Sequence, residues 1–155
     1  MNINDILSED SILVDFNASS KKNVLDALSK LAEREIKVNY KTILDNLIKR
    51  EKLGSTAVGN GIAIPHTTES SLIKPRGFLA MLSRGLDFNA NDDQPVDIIF
   101  LLLAPSNNNG SKHLQALALV SRLLKKGELI TKLRGCKTSQ SAIAVISQTI
   151  QDEAA

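Results

Sequence analysis

The sequence predicts an α/β fold, namely a three-layer α/β/α sandwich with a mixed central sheet of about five strands. Short β-leaning runs alternate with longer segments whose apolar residues recur at helical spacing. The run 96–103 is apolar on both faces, which is typical of a central strand covered on each side. The strands 62–64 and 77–83 are too close in sequence for a crossover helix, so the sheet is expected to be mixed.

The first half of the chain predicts one strand and two helices. Residues 11–16 form the first predicted strand, and Ser19 or Ser20 is expected to cap the helix that follows. Asn39 is expected to cap a second helix that ends just before Gly54. The apolar stripe of this second helix consists of Ile43, Leu44, Leu47 and Ile48.

The second half predicts three strands and three helices. Strand 62–64 stops at Pro65, and strands 77–83 and 96–103 follow. Ser111 is expected to cap the next helix, after a turn or loop at 107–110. The predicted helices cover residues 112–126, 128–134 and 138–151.

Length and composition predict one domain over 1–155, ordered from about residue 3 to 151. Hydrophobic residues make up 43% and aromatic residues only 3%, so the core must consist mainly of Leu, Ile, Val and Ala. The scarcity of aromatic faces argues against single-stranded nucleic acid as a ligand. The net charge of +2, without any long block of like charge, argues against DNA binding. The pair Lys21-Lys22 is interpreted as a solvated helix face.

The sequence predicts a cytoplasmic protein without membrane insertion. Its longest apolar run, 98–104, is far shorter than the ~20 residues that a membrane-spanning helix needs. The N-terminus lacks the basic and apolar regions of a signal peptide. The single Cys136 cannot form an internal disulfide, which permits a reducing compartment.

The stretch 54–61 is the least regular part of the chain, and its three glycines and Asn60 predict a backbone that turns and approaches another group closely. It has neither the lysine of a phosphate-binding P-loop nor the spacing of a dinucleotide fingerprint. His66 follows it, directly after Pro65 at the end of a predicted strand, where ligands of α/β sheets usually bind. The alternative is a surface loop histidine.

His113 lies near the start of a helix and shares a face with Leu117 and Val120. It is either a hydrogen-bonded core residue or a neutral imidazole that donates an N–H to an anion at the helix N-terminus. Arg50 lies at the end of an apolar stripe. The spacing favours an Arg50 side chain whose aliphatic part packs on the stripe while its guanidinium group reaches solvent. The alternative is a guanidinium drawn inward by an anion or by carbonyls of the stretch 54–61.

These residues favour phosphoryl transfer over the other chemistries considered. Two histidines and Cys136 lack the close spacing of a zinc site, so no metal and no cofactor are predicted. Ser55 lies in no nucleophile elbow, which argues against a Ser–His hydrolase. A neutral imidazole, with a pKa near ~6.5, is nucleophilic at neutral pH. Backbone N–H groups of the stretch, the hydroxyl of Thr56 and a second imidazole would hold the phosphoryl charge.

Two segments resemble the fructose/mannitol-type enzyme IIA domains of the phosphotransferase system, with the nitrogen-regulatory branch the closest in appearance. Segment 50–66, REKLGSTAVGNGIAIPH, is similar to the active-site segment of that family. Segment 112–118, KHLQALA, is similar to its second histidine region. Ala57 and Val58 depart from the Gly-Ile common in the nitrogen-type motif, at positions interpreted as loop packing.

The resemblance implies a mixed sheet flanked by helices and a phosphohistidine carrier. It implies that His66 accepts a phosphoryl group, that His113 supports it, and that Arg50 has an electrostatic or structural role. The resemblance and the argument from the residues together predict a phosphoryl-binding loop that consists of Gly54, Ser55, Thr56, Gly59, Asn60 and Gly61.

The implied donor is a small HPr-like phosphocarrier, and the acceptors are regulated proteins or a IIB domain. A regulatory role is favoured over that of a stand-alone sugar-specific IIA component, and a phosphorylation-independent binding module is the third alternative. The partner is expected to dock on a small surface, about 1,200 Å² or less, centred on Val58, Ile64 and Leu86.

Overall fold

The computed structural model describes residues 1–106 and 110–154, and the strands in these ranges form one six-stranded mixed sheet. The strands are β1 (Ile12–Phe16), β2 (Ala57–Gly59), β3 (Ile62–Ala63), β4 (His66–Glu69), β5 (Arg76–Leu86) and β6 (Val96–Pro105). The helices are α1 (Lys21–Ile36), α2 (Tyr40–Lys52), α3 (Ser111–Leu124), α4 (Gly127–Arg134) and α5 (Ser139–Ala154). Two short 3-10 helices, Ile3–Asp5 and Glu9–Ser11, precede β1.

Strand β6 is the centre of the sheet, as its apolar sequence predicted. It pairs antiparallel with β5, and parallel with both β3 and β4. Strand β1 pairs parallel with β5, and β2 pairs antiparallel with β3. The mixed sheet is therefore confirmed. Strands β2 and β4, at most four residues long, were not predicted and raise the number of strands above the expected five.

Successive residues of β6 contribute to two separate cores, because side chains alternate across a strand. Ile98, Phe100 and Leu102 pack in one cluster with residues of α3, α4 and α5. Ile99, Leu101 and Leu103 pack in the other cluster with residues of α1 and α2. The sheet thus has helices on both faces, which confirms the three-layer prediction.

Two of the predicted helix caps are confirmed and one is wrong. The side chains of Ser20 and Asn39 accept hydrogen bonds from backbone N–H groups in the first turns of α1 and α2. Ser111 is the first residue of α3, and Gly110 occupies the cap position with a φ of 74°. The rest of the predicted turn, residues 107–109, lies outside the described residues. Every helix in the described ranges is too short or too polar to span a bilayer.

Strands β2 and β3 form a hairpin with a two-residue turn at Asn60 and Gly61. These residues have φ values of 58° and 81°, the left-handed region that an Asn-Gly turn adopts. Arg134 of α4 donates to the Asn60 carbonyl over 2.9 Å and makes two hydrogen bonds to the Asp97 carboxylate. The Asn60 N–H donates to Asp92 over 3.1 Å. The turn is therefore held to the beginning of β6 and to α4.

Gly77 of β5 has no room for a side chain, so we expect Gly77→Ala to destabilise the fold. A Cβ atom there would lie 2.5 Å from the Phe100 ring and 2.9 Å from Ile6. Overpacking of this kind costs about 1–3 kcal/mol in the free energy of unfolding. Urea unfolding of both variants measures the effect, with Gly127→Ala as control, because no described atom would lie within 4 Å of that Cβ. Equal stability of the two variants would contradict this account.

Candidate functional site

His66 is the first residue of β4 and its side chain lies on the α3 side of the sheet. It pairs with Leu102 of β6, whose side chain belongs to the α3–α5 cluster. Side chains of directly paired residues point to the same face. The sequence placed His66 after a strand. In the structure Pro65 separates two strands that pair with β6 in succession, and His66 begins the second of them.

His113 lies next to His66, as the predicted chemistry requires. It is the third residue of α3, and the centroids of the two imidazole rings are 5.4 Å apart with an interplanar angle of 68°. Both residues are half-buried. The structure thus brings together two side chains that are 47 positions apart in the sequence, and they are the only histidines of the chain.

The environment of His113 favours the neutral form of its ring. Burial lowers the pKa of His113 below its ordinary value, and the charge of a protonated His66 would lower it further. Its Nε2 atom is buried and has no hydrogen-bond partner among the described residues. A buried ring nitrogen without a partner disagrees with the interpretation of His113 as a satisfied core residue. It suits the alternative, in which a bound anion supplies the missing partner.

A backbone carbonyl selects the tautomer of His66. Its Nδ1 lies 2.8 Å from the carbonyl oxygen of Ile64. Because a carbonyl oxygen only accepts hydrogen bonds, Nδ1 of a neutral His66 must carry the proton. The lone pair is then on Nε2, the atom on the opposite side of the ring from the carbonyl.

Arg50 contacts the beginning of the glycine-containing stretch. Its Nη1 donates to the carbonyl oxygen of Gly54 over 2.8 Å, across the end of α2. This is the loop-carbonyl alternative, which spacing ranked below exposure of the guanidinium to solvent. Gly54 has a φ of 148°, which other residues rarely adopt. Arg50 therefore supports an unusual backbone conformation at the point where the chain leaves α2.

Ser55 and Thr56 direct their side chains into the protein. The Ser55 hydroxyl donates to the Phe88 carbonyl oxygen over 2.5 Å. Thr56 is 5% exposed. Its N–H donates to Glu51 Oε2 over 3.2 Å, and its hydroxyl donates to Glu51 Oε1. The hydroxyl expected to hold a phosphoryl group is thus committed to a carboxylate of α2.

The turn at Gly59, Asn60 and Gly61 lies away from the two histidines. The carbonyl of Gly61 accepts from the N–H of Ile98, whereas His66 pairs with Leu102. Four residues of strand separate these positions, which amounts to about 13 Å. This placement corrects the expectation that the whole stretch 54–61 surrounds one group. The Asn-Gly pair is a hairpin signal, and its function here is to reverse the chain.

Glu51 and Lys21 form an ion pair behind Thr56 that the sequence analysis missed. Lys21 Nζ lies 2.6 Å from Glu51 Oε2, and the two side chains are 18% and 6% exposed. Lys21 was interpreted as part of a solvated face, and that interpretation is wrong. One signal was available, because an acidic residue in the last turn of a helix is unfavourable with the helix dipole and needs a compensating partner.

Two exposed apolar side chains flank the pair of histidines. Leu114, next to His113 in α3, is 68% exposed, and Ile73 is 81% exposed. Lys112 Nζ donates to the Ile73 carbonyl oxygen over 3.2 Å, which holds Ile73 near the start of α3. Of the residues expected to centre the docking surface, Ile64 is only 2% exposed and is therefore excluded.

Comparisons with known proteins agree on one family. The model of the family described as phosphoenolpyruvate-dependent sugar phosphotransferase system, EIIA 2, matches residues 5–149. A nitrogen regulatory protein of Bradyrhizobium diazoefficiens is 41% identical over 147 residues, which cover 95% of each chain. One of Pseudomonas aeruginosa is 36% identical over 145 residues, covering 93% of this chain and 94% of the relative. The crystal structure of nitrogen regulatory protein IIA-Ntr from Neisseria meningitidis matches with a TM-score of 0.84 and 30% identity, covering 93% of this chain and 98% of that chain.

The lowered pKa of His113 makes part of the stability dependent on pH. The unfolded chain, with a His113 pKa near ~6.5, binds a proton more readily than the folded chain. The contribution is therefore complete above about pH 6.5 and is lost as the pH falls from there through the lowered folded pKa. We expect His113→Gln to lose less stability than the wild type between about pH 8 and pH 5. Urea unfolding across this range measures the difference, and parallel curves would contradict it.

Proposed function

This chain belongs to the EIIA 2 family of the phosphoenolpyruvate-dependent sugar phosphotransferase system, and on that premise we propose that His66 carries a phosphoryl group in a regulatory relay. One observation carries the assignment of the residue. His66 directs its proton to a backbone carbonyl and leaves a nucleophilic nitrogen beside a second imidazole. His113, the only other histidine of the chain, differs because its Nε2 is buried and has no hydrogen-bond partner among the described residues.

The proposed donor is an HPr-like phosphocarrier that is itself phosphorylated on a histidine. The Nε2 lone pair of His66 attacks the phosphorus atom, and an N–P bond forms as the donor's P–N bond breaks. The electron pair of that bond returns to the donor imidazole. Because Nδ1 of His66 keeps its proton on the Ile64 carbonyl, no proton needs to leave His66 during the transfer.

His113 is suited to stabilise the phosphoryl group without trapping it. Its buried Nε2, as an N–H, would donate to a phosphoryl oxygen and gain the partner that it lacks among the described residues. The N-terminus of α3, where His113 lies, favours negative charge nearby. A neutral imidazole forms a weaker hydrogen bond to a dianion than an imidazolium does. The phosphoryl group therefore stays transferable.

The proposed role is regulatory, with regulated proteins as acceptors. The support is that the relatives from Bradyrhizobium diazoefficiens and Pseudomonas aeruginosa are nitrogen regulatory proteins by name. A second candidate is a sugar-specific IIA component that passes the phosphoryl group to a IIB domain, which the family description favours. In both, the exposed Ile73 and Leu114 offer apolar contacts to a partner that reaches His66.

Reconstituted phosphorylation tests the assignment. With phosphoenolpyruvate, enzyme I and HPr, we expect the wild type to gain the mass of one acid-labile phosphate and His66→Ala to gain none. His113→Ala should still be phosphorylated but should transfer the group to an acceptor about 100-fold more slowly, since one preorganised hydrogen-bond donor is lost.

Each alternative gives a different outcome in the same experiment. Label on His66→Ala would refute the assignment of the residue. A wild type that stays unphosphorylated beside phosphorylated HPr would support the binding-module interpretation. Rapid onward transfer to a purified fructose- or mannitol-type IIB domain would favour the sugar-specific candidate.

The hydrogen bond to Ile64 predicts which nitrogen is phosphorylated. We expect the phosphoryl group on Nε2, because Nδ1 is occupied by its proton and faces the carbonyl. Coupling between phosphorus and ring nitrogens in an NMR spectrum of ¹⁵N-histidine-labelled protein identifies the atom. Phosphorus bonded to Nδ1 would show that the ring turns over before it reacts.

A further inference from the structure

A cavity of about 350 Å³ lies between the first turns of α1 and the last turns of α2, outside the histidine site. This volume is at the lower end of the range of small-molecule sites. The lining combines an apolar surface with positive charge. Leu25 is buried and Ile48 half-buried, whereas Lys22 and Lys52 are exposed. The Lys21–Glu51 pair completes the wall.

The chemistry of the lining favours an organic anion. Three lysines and one glutamate leave two positive charges, and Lys21 is already paired with Glu51. Lys22 and Lys52 make no ion pair with any residue in the described part of the chain. An inorganic anion would make no apolar contact with the half-buried Ile48, and a neutral apolar molecule would not use the charges of the lysines. A small molecule with one anionic group and a short apolar part uses both.

A continuous series of hydrogen bonds joins the cavity to His66. It begins at the Lys21–Glu51 ion pair in the cavity wall, and Glu51 accepts from both the N–H and the hydroxyl of Thr56. The Thr56 carbonyl accepts from the Ile64 N–H over 3.0 Å. The Ile64 carbonyl is the group that holds Nδ1 of His66. Directly bonded groups thus connect Lys21 to the nucleophile, which is the physical path that a coupling between the cavity and His66 would use.

We propose that this cavity binds a small organic anion with an apolar portion, and that its occupancy changes the setting of His66. The anion competes with Glu51 for the Lys21 ammonium group, which loosens the carboxylate that fixes Thr56. Ile64 and the imidazole then lose part of their support. A consequent slowing of phosphoryl uptake rests on the proposed function, whereas binding and the response of the ring do not.

An NMR titration without any phosphoryl donor tests binding. Hexanoate, hexylammonium and 1-hexanol are compared at constant ionic strength on ¹⁵N-labelled protein. We expect saturable shifts of the Lys22, Leu25 and Ile48 amides with hexanoate and much weaker effects with the other two. The double variant Lys22→Gln/Lys52→Gln should weaken binding about fivefold to tenfold.

Lys49→Gln is the matched control, because Lys49 is an exposed lysine of the same helix that does not line the cavity. It should leave the affinity for hexanoate unchanged. Equal binding of hexanoate and hexylammonium would overturn the proposal. So would equal affinities of the double variant and the control, or shifts that do not saturate.

The ring nitrogens of His66 test the coupling in the same samples. In the wild type, hexanoate should shift the His66 Nδ1 and Nε2 resonances in step with the cavity amides. Glu51→Gln and Thr56→Val should bind hexanoate but lose the His66 response, the second variant keeping the shape of the side chain. A saturated cavity with unmoved His66 resonances would refute the coupling. Loss of phosphorylation in the reconstituted assay would instead refute the proposed function.

Discussion

The hydrogen bond between Nδ1 of His66 and the carbonyl oxygen of Ile64 is the interaction on which the proposed chemistry depends, because it decides which nitrogen of the neutral ring keeps its lone pair. Its geometry follows from the sheet. Strands β3 and β4 pair in succession with the same strand, β6, and Pro65 lies between them. The Pro65 carbonyl in turn accepts from Leu102 of β6. Both ends of the short segment are thus held to the centre of the fold, and the imidazole has a fixed support.

The second imidazole, His113, depends on burial and helix packing and, among the described residues, not on a hydrogen bond to the backbone. His113 is held by helix packing, and burial favours its uncharged form. Two neutral rings in contact avoid the repulsion that two imidazolium groups would suffer. A phosphoryl group between the rings would be bonded to Nε2 of His66 on one side. On the other side it would accept a hydrogen bond from the otherwise unpartnered Nε2 of His113. In the proposed function, this arrangement suits the reversible storage of a phosphoryl group, which needs positioning and electrostatic support.

The strong periodic signals of the sequence predicted the layers, the central strand and the five α-helices of the described ranges, but not the two short 3-10 helices before β1. The sequence also singled out His66 and His113, because each is unusual in its segment, and the structure places the two rings side by side. The short strands β2 and β4 were not predicted, since three or four residues carry too little pattern. They form strands by pairing with β3 and β6, respectively. The inward direction of the Thr56 side chain and the burial of Lys21 were not predicted either. Both depend on Glu51, and an ion pair between residues 30 positions apart leaves no mark in local spacing.

Gly110 occupies the cap position of α3, and the register of the helix that follows decides where the second imidazole points. The direction in which His113 points from the axis of α3 is set by the packing of the helix, because Ala116, Val120 and Leu124 are buried against the sheet. Adding or removing one residue within the helix would rotate the imidazole by about 100°. The register of α3 therefore cannot shift without turning the second imidazole away from His66.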